Sequence, residues 1–161
     1  MNNQYRKVKR YLDLLKNRRW ENVTPIKEIG ILPCDYKTDN TLPAPALFTP
    51  YTQGTEWGNG YDTHAWFRFT LPPCGENTFL RAETEHHGWD ANNPQFLVYF
   101  NGRIVQGLDT NHLEVLLEAG KETEVYLYGY VGNDHDRARL FADTRVLNTE
   151  ADGLYYDLLI P

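Results

Sequence analysis

Histidines come first among the side chains that do chemistry, because they serve as metal ligands and as bases. The five are His64, His86, His87, His112 and His135. None stands in an H-E-x-x-H pair, and none shares the Cys and His spacing of a structural zinc site. Asp134-His135-Asp136 sets two carboxylates beside an imidazole. Acidic residues around a Gly-Asn pair are ordinary turn chemistry, so no metal is assigned there. Cys34 and Cys74 each adjoin a proline and have no histidine near them in sequence. A catalytic site built on Cys34 or on a His–Asp pair ranks last among the readings. No Gly-x-Ser-x-Gly elbow and no Gly-rich phosphate loop accompanies it. The carboxylates Glu83, Glu85, Asp90, Asp109 and Glu114 cluster near one hairpin. Glycosidases work with two carboxylates at a set separation, which sequence does not fix, so these read as solvated acids.

Sugar binding is the chemistry these residue types fit best. An aromatic face stacks on the apolar face of a sugar ring, while Asp, Asn and His read its hydroxyls. Trp57, Tyr61, Trp66 and Trp89 occur beside Asp62, His64, Asp90 and Asn92. Trp66 lies inside a strand-like run, which assigns it to the core. The loop Thr84 to Pro94 (TEHHGWDANNP) holds His86, Trp89, Asp90 and Asn92, a candidate sugar site if the domain is a free-standing binding module.

The elements that must position these groups are mostly strands. Two apolar-rich runs flank Asn101-Gly102. Both residues tolerate the positive φ of a type I′ turn, which predicts a β-hairpin from Gln95 onward. Its second arm passes into Gly107-Leu108-Asp109-Thr110-Asn111-His112 and then the apolar Val115-Leu116-Leu117. Residues 66–71 alternate, with Phe67, Phe69 and Leu71 on one face. Residues 78–83 make a second strand. Residues 122–131 put Val125, Leu127, Gly129 and Val131 on one face and Tyr126, Tyr128 and Tyr130 on the other. Residues 138–147 are another strand, and 154–160 an apolar segment of either type. Before the strands, Tyr5, Val8, Leu12 and Leu15 recur at helical spacing over Asn3 to Trp20. This amphipathic helix is expected to pack on the domain rather than on a membrane. Residues 24–60 resist assignment, since Pro33, Pro43, Pro45 and Pro50 break any long element. Residues 42–50 (LPAPALFTP) read as an extended segment lying over a surface. Together these predict a mainly β fold, an antiparallel β-sandwich preceded by a helix.

Composition narrows the classes. With 161 residues the chain makes one domain with a real core. Acidic residues exceed basic ones, 22 to 16, which is not the footprint of a nucleic-acid binder. No run is apolar enough for a signal peptide or a membrane span. Two cysteines make no disulfide framework, so free thiols in a reducing, cytoplasmic setting are expected.

Trp57-Gly58, the strand Trp66-Phe67-Arg68-Phe69, and the segment from Asn93-Pro94 through the hairpin to GLDTNHLEVLL (107–117) resemble a known pattern. It is that of the N-terminal domain of α-mannosidases of glycoside hydrolase family 38, in the branch of cytosolic, bacterial and yeast vacuolar enzymes. The resemblance covers roughly Thr49 to Leu147, with the helix also in the expected place. It implies a jelly-roll, galactose-binding-like sandwich over residues 49–161, preceded by a helix and linker over 1–48. It further implies a non-catalytic accessory domain, with zinc and the catalytic residues of a retaining α-mannosidase in a separate catalytic domain of a longer chain. The partners implied are that domain, a mannose-containing glycan and further copies in a homo-oligomer. Gly107, Asp109, Asn111, His112 and Glu114 are then interface or substrate-rim candidates. The loop 84–94 is richer in His and aromatic residues than the family pattern.

Overall fold

The structure is a computed structural model that describes residues 3–36, 39, 41–59, 62–83, 95–109, 111–132 and 137–160. Among them the chain runs α1 (Asn3–Arg18), β1 (Trp20–Pro25), β2 (Ile29–Cys34), a 3-10 turn at Pro45–Leu47, β3 (Thr49–Tyr51), β4 (Glu56–Asn59), β5 (Thr63–Leu71) and β6 (Thr78–Glu83). It continues through β7 (Gln95–Phe100), β8 (Arg103–Leu108), β9 (Glu114–Leu116), β10 (Thr123–Val131), β11 (Arg137–Arg139), β12 (Phe141–Leu147) and α2 (Thr149–Leu159). A six-stranded sheet has the order β3-β2-β5-β10-β7-β8, and a four-stranded sheet the order β1-β12-β6-β9. A short β11-β4 ribbon lies beside them. The sheet pairings are antiparallel. This is the antiparallel β-sandwich that the alternation predicts, with the chain passing repeatedly from one sheet to the other.

The hairpin forms as its turn residues dictate. Asn101 has φ 49° and Gly102 φ 84°, the two positive angles of a type I′ turn. β10 lies between β5 and β7, with Leu127 facing Phe67 on one side and Val98 on the other. Its inward residues Val125 and Leu127 join Phe67, Phe69, Leu71, Phe96 and Val98 from the same sheet. Leu80, Ala82, Val115, Leu117 and Ala142 close on them from the four-stranded side. Removing a ring such as Phe67, which is fully buried, is expected to cost about 3–5 kcal/mol.

The unassigned stretch holds strands. β1 and β2 belong to the two sheets, so the sandwich begins at Trp20 rather than at residue 49. Proline hides them. Among the described residues β3 pairs with Ile29 to Ile31 only, so no described strand adjoins the outer side of β2 at Pro33, the kind of place where proline is tolerated. Pro50 lies in β3, an edge strand. β1 is an edge strand too and is mostly exposed, which leaves no alternating apolar pattern to read.

The helix expected to pack on the domain packs chiefly on a second helix instead, α2. Arg19 holds the junction. Its Nε donates to Asp152 at 2.6 Å, and its guanidinium lies 4.9 Å from the Tyr155 ring centroid and 5.1 Å from that of Tyr156. Asn148 caps α2 by accepting from the Ala151 N–H at 2.9 Å. Tyr5, Tyr11, Leu14, Leu154 and Ile160 remain exposed on the pair. Among the described residues no helix is long and apolar enough to cross a membrane.

Candidate functional site

Strand periodicity sends every second residue of β5 and β10 away from the core. The outer face of the six-stranded sheet therefore carries His64, Trp66 and Arg68 from β5, and Tyr126, Tyr128 and Tyr130 from β10. Leu97 and Tyr99 from β7 and Leu32 and Cys34 from β2 extend it. Half of this face is covered. Residues 42–48 lie over Trp66, Tyr99 and Tyr126, which form a second buried cluster with Leu42 and Phe48 packed against it. Phe48 meets Tyr126 edge-on at 5.8 Å, and the Tyr126 hydroxyl donates to the Pro43 carbonyl at 3.4 Å. Gly30 makes the close approach workable, because a Cβ there would stand 2.9 Å from the Phe48 Cβ.

The other half opens into a hollow of about 450 Å³, within the range of small-molecule sites. Tyr36, His64, Leu97, Gly107, Asp109, Tyr128 and Tyr130 line it, with Gln95, Phe96 and Leu108. His64 is the pivot and is 3% exposed. Its ring stacks on Tyr130 at 4.9 Å and on Tyr128 at 5.6 Å, and meets Tyr36 edge-on at 5.7 Å. Both of its nitrogens are engaged. Nε2 lies 3.0 Å from Oδ1 of Asp62, and Nδ1 lies 2.6 Å from the Tyr128 hydroxyl. An ionised carboxylate only accepts, so Nε2 carries the proton in the neutral imidazole and Nδ1 accepts from Tyr128. A chain Tyr128 → His64 → Asp62 results. Asp62 takes its place at φ 54°, a left-handed conformation that Asp tolerates better than most residues.

The polar arm after the hairpin divides. Gly107 and Asp109 line the hollow. Asp109 also closes its own turn. Its Oδ1 accepts the N–H groups of Asn111 and His112 at 2.8 Å each, and lies 3.0 Å from Nδ1 of His112. The Asn111 N–H, and then the His112 N–H and ring, hold the Asp109 carboxyl below the usual carboxylate range. Asn111 and His112 sit exposed at the tip of this turn. Glu114 goes elsewhere: in β9 of the other sheet it lies 3.5 Å from Nε of Arg81, which also pairs with Glu83. Of the five arm residues, Gly107 and Asp109 thus line the hollow, while Asn111, His112 and Glu114 do not. His86, Trp89, Asp90 and Asn92, with His87 and Asp134-His135-Asp136, lie outside the described residues.

Cys34 stands directly across from His64 on the neighbouring strand, a juxtaposition that sequence distance concealed. It makes no thiolate–imidazole pair. Both ring nitrogens are taken, and burial, with the charge of Asp35, pushes the thiol up. Cys34 and Cys74 are both free. Among the described residues no group of three or more His, Cys, Asp or Glu side chains stands together as a metal site. The sequence points to His64 as one of the polar residues beside aromatics, near Asp62 and Trp66; Tyr128, its partner, is far away in the chain.

Set against protein-family models, curated proteins and solved structures, the chain matches none of them.

Proposed function

We propose that this chain is a carbohydrate-binding β-sandwich domain without catalytic activity of its own, and that the hollow over β5 and β10 is its sugar site. One observation carries the reading: three tyrosines and a buried histidine gather around an open hollow whose polar lining includes Tyr128, Gln95 and Asp109. Tyrosine rings suit the apolar face of a pyranose, and fixed polar atoms at the rim orient its hydroxyls. The site is built on two central strands, which supports a preformed geometry. Titrating the chain with a panel of monosaccharides and mannose oligosaccharides by calorimetry tests the reading. Saturable binding that Tyr130→Ala weakens is the expected result. Absence of binding across the panel contradicts it.

A second reading, an accessory domain of an α-mannosidase, is favoured by the α1–α2 pair. Its exposed Tyr5, Tyr11, Leu14, Leu154 and Ile160 offer a face for further protein to cover. In that setting the zinc and the hydrolytic residues belong to the other domain. The chain alone is expected to leave α-mannosides intact with or without added zinc, and turnover by the purified chain rules this reading out.

A further inference from the structure

We propose that the hollow selects a ligand bearing a primary ammonium group, which on the carbohydrate reading it rests on means an amino sugar. Hydrogen-bond direction is the first argument. In the neutral imidazole Asp62 fixes the tautomer of His64, and His64 Nδ1 in turn accepts the hydrogen bond of the Tyr128 hydroxyl. Whatever else meets the Tyr128 oxygen must donate to it. Asp109 is a carboxylate held in its ionised form, and it too only accepts. The amide of Gln95, exposed at the rim, and the hydroxyls of Tyr36 and Tyr130 both donate and accept and so decide nothing.

Charge is the second argument. Among the described residues lining the hollow none is Lys or Arg, and Asp109 is ionised. The whole chain carries a net charge of −6. An anionic sugar, such as a uronate or a sugar phosphate, meets the ionised Asp109 there with no opposite charge among the described lining residues to offset it. Its own oxygens find no cationic donor among these residues. An ammonium group meets the reverse. It donates three hydrogen bonds, faces an opposite charge, and lies among tyrosine rings whose faces attract cations. A neutral hydroxyl satisfies the same acceptors without the charge term, so neutral sugars rank second.

A quaternary ammonium is distinguished by lacking N–H groups. It takes the cation–π attraction but cannot donate to Tyr128 or Asp109. With no N–H to donate, choline ranks below glucosamine.

The test is calorimetric titration of the whole chain with glucosamine, glucose, N-acetylglucosamine, glucuronate and choline, at low and high salt. Glucosamine is expected to bind about tenfold more tightly than glucose or N-acetylglucosamine at low salt, and salt to narrow the gap. Choline binds more weakly than glucosamine, and glucuronate does not bind. Asp109→Asn retains an oxygen that can accept the turn N–H groups, and it brings the glucosamine and glucose affinities together. Equal affinity of the unaltered chain for glucose and glucosamine overturns the selectivity and leaves the carbohydrate reading standing. Choline binding as tightly as glucosamine overturns the donor argument. No binding by any of the sugars overturns the carbohydrate reading itself.

Discussion

The outer face of the six-stranded sheet is two surfaces made by one pattern. In β10 three successive outward residues are tyrosines: Tyr126, Tyr128 and Tyr130. Across from them in β5 stand Arg68, Trp66 and His64. Tyr126 lies with Trp66 and Tyr99 beneath the proline-rich segment 42–48, sealed like core. Tyr128 and Tyr130, only two and four residues on, line an open hollow with His64. The same alternation thus yields a packed cluster and a binding surface. What differs is the cover. Where Phe48 and Leu42 reach, aromatic side chains contribute to stability. Where they do not, the rings and the polar atoms among them remain accessible to a ligand.

Substitutions in the two halves should separate these roles. Trp66→Ala empties the covered half and is expected to cost about 3–5 kcal/mol in denaturant unfolding. Gly30→Val strikes the same half from above. The new side chain drives into Phe48, with an expected loss of about 1–3 kcal/mol and increased binding of a hydrophobic dye as the cover lifts. Tyr128→Phe in the open half is expected to cost less, about 1–3 kcal/mol, because His64 loses its hydrogen-bond partner at Nδ1 while the ring remains. That substitution should nonetheless weaken ligand binding, which Gly30→Val should affect less. If Trp66→Ala and Tyr128→Phe have equal effects on both stability and binding, the two halves are not distinct.

The smallest expected effect is on pH dependence. The Asp109 carboxyl titrates lower in the folded chain than in the unfolded one, so between those two values the unfolded state binds more protons. Stability from this turn is complete above the unfolded carboxylate pKa and is lost as pH falls through the folded one. The group is half-exposed, so the contribution is modest. Asp109→Asn should flatten the acid limb of the stability curve slightly, as read by thermal unfolding from neutral to acid pH.

Legibility in the sequence followed local physics. Asn101-Gly102 announced its hairpin because two positive φ angles are demanded there and few residues accept them. The inward set Val125, Leu127 and Phe67 was readable because a half-buried strand alternates. β1 and β2 were not readable. One is an exposed edge, and the other carries Pro33 past the end of its pairing with β3, which a single sequence does not reveal. The arm candidates from Gly107 to Glu114 follow one another closely in sequence, which does not show how the fold distributes them. Asp109 spends one carboxylate oxygen on its own turn, and Glu114 crosses to the other sheet. The hollow itself is a product of pairing. Asp62 and His64 are neighbours in sequence, but Tyr128 and Cys34 join them only through the register of β5 with β10 and β2. Residue types hinted at the chemistry near His64; only the sheet assembled it.

The most direct test of a sugar site in the open half is chemical-shift mapping of the labelled chain during titration with glucosamine. Saturable shifts confined to Tyr128, Tyr130, His64, Gly107 and Asp109 are expected, with Trp66 and Tyr126 unmoved. Shifts centred on α1 and α2, or none at saturating sugar, would contradict it.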